Sequence, residues 1–385
     1  MKSSEIIIEK IIHCLKKRDK SHHTPLFLGN EKKYLVDCIK KTYVSYVGKF
    51  VDLFERKIAN YTKSNFAVAT SSGTSALHLL LNYHGIGKND EVLVPSFTYV
   101  ATVNPIHHCG ADPNFVDIEL NTLGVCPKKL EKYLKKTAYI KNKVCINKKT
   151  KKKIKALIAV HAHGFPCEIT KLKKICKKYN LLLFEDAAEA LGSFYKKKHL
   201  GTFGDAAILS FNGNKTITTG SGGAVLVKNY KIAQKLKHIS TQAKIPSQID
   251  MAFDYIGFNY RMSNVSAAIG CAQLEKINKI LKLKRKNYYM YKNFLGKINN
   301  LVEIMKEPNN SKTNYWMVTI VFKNLKDRNV VLKTLRLKGY GLRSTWRPLH
   351  TLKIYKNCQK DNMANSLKAF KTTVNLPSSA LINHE

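Results

Sequence analysis

The chain has 385 residues, 44% of them hydrophobic and 24% charged, and 66 Lys and Arg against 26 Asp and Glu give it a formal net charge of +40. This length can bury one large core and a smaller one in a globular protein. No apolar run is long enough to span a bilayer, and an odd count of 9 cysteines without a CxxC pair argues against a disulfide framework.

Residues 5–15 (EIIIEKIIHCL) pattern as an amphipathic helix. Glu5, Glu9 and His13 interrupt the apolar run, and Lys16-Lys17-Arg18 stand where a signal peptide carries small residues. A cytoplasmic protein is therefore expected. Residues 66–69 read as a strand that runs into Ser71-Ser72-Gly73-Thr74, with a helix over 75–82. Residues 92–94 form a short strand closed by Pro95, and a helix follows through Val103. The lysine-rich stretch 141–155 reads as an exposed loop. Strands are expected at 154–160, 181–184, 206–211 and 223–227, and a helix at 169–179. Such alternation predicts crossover units, hence an α/β fold with a mainly parallel sheet and its functional residues at the carboxyl ends of strands. A loop near 240–260, one long helix over 264–294, a strand at 318–322, a helix from Arg328 and a strand at 340–343 complete the chain. The expected domains are a helical arm (1–25), a large domain (26–262) and a smaller α+β C-terminal domain (263–385).

Three loops carry chemistry. Ser72-Gly73-Thr74-Ser75 opens a helix, where free backbone N–H groups and hydroxyls suit a phosphate, although Ser and Thr are also ordinary caps. The strand 181–184 runs into Glu185-Asp186-Ala187-Ala188-Glu189, which puts carboxylates at a sheet edge; beside a pyridine nitrogen, such an acid keeps the ring protonated. The third loop, Ser210-Phe211-Asn212-Gly213-Asn214-Lys215-Thr216, follows a strand and holds a lysine in a glycine-containing turn, a setting for Schiff-base chemistry. A P-loop would need glycine at 209 and 214, where this chain has Leu209 and Asn214.

Together with Gly29-Asn30-Glu31, the run from Pro95 to Thr102, and Asn259-Tyr260-Arg261, these loops resemble the DegT/DnrJ/StrS family of pyridoxal-phosphate (PLP) sugar aminotransferases over nearly the whole chain. The run 210–220, Thr241 to Lys244, Asn314-Tyr315-Trp316 and the run 374–378 resemble its legionaminic-acid branch, which acts on a UDP-4-keto-6-deoxy-N-acetyl sugar. The resemblance implies the type I PLP-dependent aminotransferase fold and a homodimer with active sites at the subunit interface. It assigns Lys215 to the cofactor Schiff base and to proton transfer, and Asp186 to the pyridinium nitrogen. Glu189 falls near the ring oxygen and Tyr99 at the stacking position. Gly73, Thr74 and Ser210 fall at the phosphate, which Asn259 would reach from the partner subunit. Lys244, Arg261, Arg347 and His350 are candidate substrate contacts; Arg261 serves equally well as a structural tether. The implied reaction is ping-pong, with glutamate donating the amino group to a nucleotide-linked 4-keto-6-deoxy sugar, in bacterial surface-glycan or nonulosonic-acid biosynthesis. Departures from the family pattern include Ser72, Ser221, Phe258, the segment His161 to Pro166, and the segment 341–350.

Rival readings have less support. A sugar dehydratase of the same fold usually replaces the Schiff-base lysine, which is present here as Lys215. A nucleic-acid-binding protein rests on net charge alone; lysines spread over the whole chain read as surface composition, helped by an anionic substrate. His161, His163 and Cys167 offer no complete tetrahedral zinc set, so no metal is expected.

Overall fold

The computed structural model describes residues 2–245 and 250–383. Its central sheet is built on β1 (Phe66–Thr70), β2 (Asp90–Pro95), β3 (Asp112–Val116), β4 (Lys153–Val160), β5 (Leu182–Asp186), β6 (Ala206–Ser210) and β7 (Gly223–Val227), in the order β1-β7-β6-β5-β4-β2-β3. Of these, β7 runs antiparallel to both its neighbours, and the remaining pairs are parallel. Burial on both faces explains the near-continuous apolar runs of these strands. In β2, Leu93 faces one core with Leu157, Leu183 and Leu209. Val92 and Val94 face the other, with Ile158, Phe184 and Ile208. The period-2 alternation of a strand divides its side chains in this way.

A second, antiparallel sheet of β8 (Val302–Ile304), β9 (Val318–Phe322), β10 (Arg343–Ser344) and β11 (Thr373–Leu376) has the order β8-β9-β11-β10. The helix Ser3–Cys14 buries Ile7, Ile8, Ile11 and Cys14, the spacing of one helical face. That face packs with Tyr288, Tyr291, Val331, Leu335 and Val374, so the N-terminal helix shares the core of this second sheet.

The structure departs from the sequence expectation at several places, among them the strand expected at 340–343, which forms as Arg343–Ser344. The stretch 264–294 forms two helices, Asn264–Glu275 and Ile277–Leu295, divided at Lys276, whose ψ of 3° is not helical. The lysine-rich stretch is in part a hairpin, Ala138–Lys141 with Val144–Asn147. Positive φ at both Asn142 and Lys143 marks the tight turn that twisted hairpins favour. Strand β3, which contains Pro113, was not among the expected strands. It nevertheless pairs on both sides, with β2 and with Gln359–Lys360.

Because β1, β2, β4, β5 and β6 run in one direction, their carboxyl ends share one edge of the sheet. The site lies along that edge.

Candidate active site

At the end of β1, Ser72 caps the helix Gly73–Tyr83. Its Oγ accepts from Ser75 N at 3.0 Å, and Ser75 Oγ accepts from Ser72 N at 2.9 Å. A helix leaves its first N–H groups without intrahelical partners, and the first two helical residues here, Gly73 and Thr74, line a cleft of about 550 Å³. Glycine is needed at 73 because a Cβ would come within 2.9 Å of Ser210 Cβ. The close approach joins this helix start to the end of β6, and Ser210 lines the same cleft.

The end of β5 contributes two consecutive acids with different tasks, because successive side chains of a strand point to opposite faces. Glu185 is buried and accepts N–H bonds from Gly201, Phe203 and Gly204 at 2.9, 2.7 and 2.6 Å. It also lies 2.9 Å from His161 Nε2, an arrangement that clamps the loop after residue 200. Asp186 faces the cleft. Its Oδ2 accepts from Thr102 Oγ1 at 2.8 Å and its Oδ1 from Ala188 N at 3.1 Å, which fixes the carboxylate from both sides.

Lys215 follows β6. Its side chain is only 15% exposed, which removes the default reading of a solvated surface lysine. Nζ donates to Glu189 Oε1 at 3.3 Å and stands 4.4 Å from the centroid of the Trp316 ring. Glu189 Oε2 accepts from His163 N at 2.8 Å. Burial pushes the Glu189 carboxyl up to about 7; Lys215 and the His163 N–H oppose that rise, and the Asp186 charge adds to it.

Tyr99 also lines the cleft and is 60% exposed. The other candidates lie outside the lining of this cleft. Asn259 is exposed and bridges to Thr241. Lys244 is exposed on a two-residue strand paired with Ala252–Phe253. Arg261 donates to Glu55 Oε1 at 2.6 Å and to Ala69 O at 3.1 Å, the tether alternative for this residue. Arg347 is exposed and bonds Thr351 Oγ1 at 3.2 Å. His350 Nδ1 lies 2.6 Å from Ser96 Oγ.

Sequence reasoning gave no role to Thr102, Trp316, Trp346 or His22, all of which line the cleft. Asn314-Tyr315-Trp316 was conspicuous as a phrase, but nothing local links it to residue 215. His163, considered and set aside as a zinc ligand, is buried. Its Nδ1 lies 3.1 Å from Thr319 Oγ1 and its ring packs 4.6 Å from that of Trp346.

A helix start with hydroxyls, a fixed carboxylate and a shielded amine on one cleft fit a phosphorylated pyridine aldehyde: the first would hold a phosphate, the second a cationic ring nitrogen, the third the carbonyl carbon.

Comparison with known proteins agrees with this fit. The pattern of the DegT/DnrJ/EryC1/StrS aminotransferase family matches residues 28–385. GDP-perosamine synthase of Vibrio cholerae is 38% identical over 359 residues, 92% of this chain and 93% of that one. EpsN of Bacillus subtilis (strain 168), named as a pyridoxal phosphate-dependent aminotransferase, is 35% identical over 86% of this chain and 82% of its own. Among solved structures, Helicobacter pylori PseC, an aminotransferase involved in pseudoaminic acid biosynthesis, superposes with a TM-score of 0.85 at 23% identity over 95% of each chain.

Proposed function

Because this chain belongs to the DegT/DnrJ/EryC1/StrS aminotransferase family, and is thus a PLP-dependent sugar aminotransferase, we propose that it moves an amino group from glutamate to carbon 4 of a nucleotide-linked 4-keto-6-deoxy sugar, with Lys215 as the working amine. The observation that carries this reading is the convergence of Lys215, Asp186 and the Gly73–Tyr83 helix start on one cleft. PLP, when bound, supplies an electron sink for the carbon that loses its proton. The chain supplies the rest. Gly73, Thr74 and Ser210 would hold the phosphate, and Asp186, fixed by Thr102 and Ala188, would pair with the ring nitrogen. Lys215 would carry the proton between the substrate carbon and the cofactor in each half of the reaction. Glu189, whose carboxyl burial raises to about 7, lies 3.3 Å from that amine.

For the carrier, the name of the 38%-identical relative favours a GDP-linked sugar. The sequence phrases at 210–220 and 314–316 favour the UDP-linked N-acetyl sugar of the legionaminic branch. Whole-chain identity to a relative is the broader observation, and GDP is the first choice. A homodimer is supported by apolar side chains left exposed at Ile39, Tyr43, Val44, Val47, Phe253 and Ile256. No helix among the described residues is long and apolar enough to cross a membrane, which suits work on a dissolved sugar nucleotide in the cytoplasm, within surface-glycan biosynthesis.

The test is incubation with glutamate and a panel of GDP-, UDP- and dTDP-linked keto sugars, with mass spectrometry of the products. An aminated GDP sugar supports the proposal; an aminated UDP-N-acetyl sugar as the sole product overturns the carrier assignment. A Lys215→Ala variant that still aminates overturns the role of Lys215.

A further inference from the structure

We propose that Trp316 is a positioning residue for the Lys215 amine, gripping it at two points: the ring face lies against Nζ and the indole N–H fixes the peptide just before Lys215. This rests on Lys215 being the cofactor lysine. Nζ stands 4.4 Å from the ring centroid, inside cation–π range. Nε1 donates to Asn214 O at 2.7 Å. One side chain thus restrains both the root and the tip of a lysine that otherwise has four rotatable bonds.

The loop needs such a restraint. A Cβ at Gly213 or Gly220 would meet no atom within 4 Å, so the turn around Lys215 is open on that side. Trp316 is itself held firmly. Its N–H donates to Asn314 Oδ1 at 2.8 Å, and its carbonyl accepts from Lys284 Nζ at 3.1 Å. Asn314 Nδ2 reaches Glu189 O at 2.8 Å, Leu191 O at 3.0 Å and Thr216 Oγ1 at 3.1 Å. The same asparagine therefore anchors the tryptophan, the segment after Asp186, and the residue after Lys215. Glu189 meets the amine at 3.3 Å. Between a carboxylate and a ring face, the amine has few rotamers left, and such pre-orientation is what an attacking group needs; misplacement by about 1 Å can cost about 100-fold in rate.

The experiment uses the full chain stripped of cofactor and mixed with PLP. Covalent capture is followed by borohydride trapping and mass spectrometry of the Lys215 peptide. Non-covalent affinity is read separately in a Lys215→Ala background. Trp316→Leu is expected to slow capture about tenfold, a larger loss than any fall in affinity it causes in the Lys215→Ala background. Trp316→Phe, which keeps a ring face and loses the N–H, is expected to recover part of that rate. Capture by both variants at the wild-type rate overturns the proposal. So does an equal loss of affinity when Trp316→Leu is added to Lys215→Ala, because that reports a collapsed pocket. Trapping at another lysine in wild-type protein would instead overturn the assignment of Lys215, independently of either Trp316 variant.

Discussion

Thr102 donates its hydroxyl to Asp186 Oδ2 at 2.8 Å, and Thr98 Oγ1 lies 2.8 Å behind Thr102. The acid at the end of β5 is thus steered from the loop after β2, so two strand ends cooperate in aiming one carboxylate. Replacing Thr102 by the isosteric Val removes one charge-assisted hydrogen bond, a loss of about 1.5–3 kcal/mol. Spectroscopic titration with PLP should show affinity weakened by about tenfold or more, with the fold intact by circular dichroism.

Asp186→Asn keeps the shape and both neighbours but removes the charge proposed to pair with the ring nitrogen. Turnover is expected to fall by at least about 100-fold, the scale of losing one preorganised electrostatic contact. Steady-state assays at saturating cofactor would separate this loss from weakened binding.

Glu189 gives a pH-dependent stability difference whose sign is fixed. Burial raises its carboxyl from 4.5 to about 7 in the folded chain, so the folded state binds its proton more tightly than the unfolded state does. The associated stability is fully present below pH 4.5 and is lost as pH climbs through 7. In cofactor-free protein, the melting temperature of Glu189→Gln relative to wild type should rise across that window and level off above it. A flat difference would contradict the assignment.

Lys284 has the opposite sign. Its amine is fully buried and bonds neutral acceptors among the described residues: His23 Nε2 at 2.8 Å, Trp316 O at 3.1 Å and Ser378 O at 2.8 Å. Burial lowers it from 10.5 to about 7, so between those values the unfolded chain binds the extra proton, and stability rises with pH. Lys284→Met leaves three acceptors without a donor, a cost of about 1–3 kcal/mol for each buried group left unpaired. The advantage of wild type over this variant should grow from pH 7 toward 10.5, measured by denaturant unfolding at several pH values.

The main sheet was legible because its strands are apolar on both faces and bounded by turn residues: residues 223–227 and the helix 169–179 form where expected. Asp186 and Lys215 stood out because each is polar at the end of such a run. Their partners did not. Thr102 is 84 residues from Asp186 and Trp316 is 102 from Asn214, so only the folded chain brings them together. The break at Lys276 carries no glycine or proline to announce it, and the hairpin at 138–147 is masked by Lys141 and Lys143 at its turn and by the lysines that follow it. Strand β3 was hidden by Pro113, the residue that normally argues against a paired strand. Conversely, Arg261 drew notice as a polar residue in a family phrase, yet it spends its guanidinium on Glu55 and Ala69.

Both tryptophans of the chain, Trp316 and Trp346, line the cleft. Indole emission from this protein therefore originates at a single location. An acceptor chromophore entering there would quench it by energy transfer, so arrival and departure of small molecules can be timed optically in the unlabelled wild-type chain.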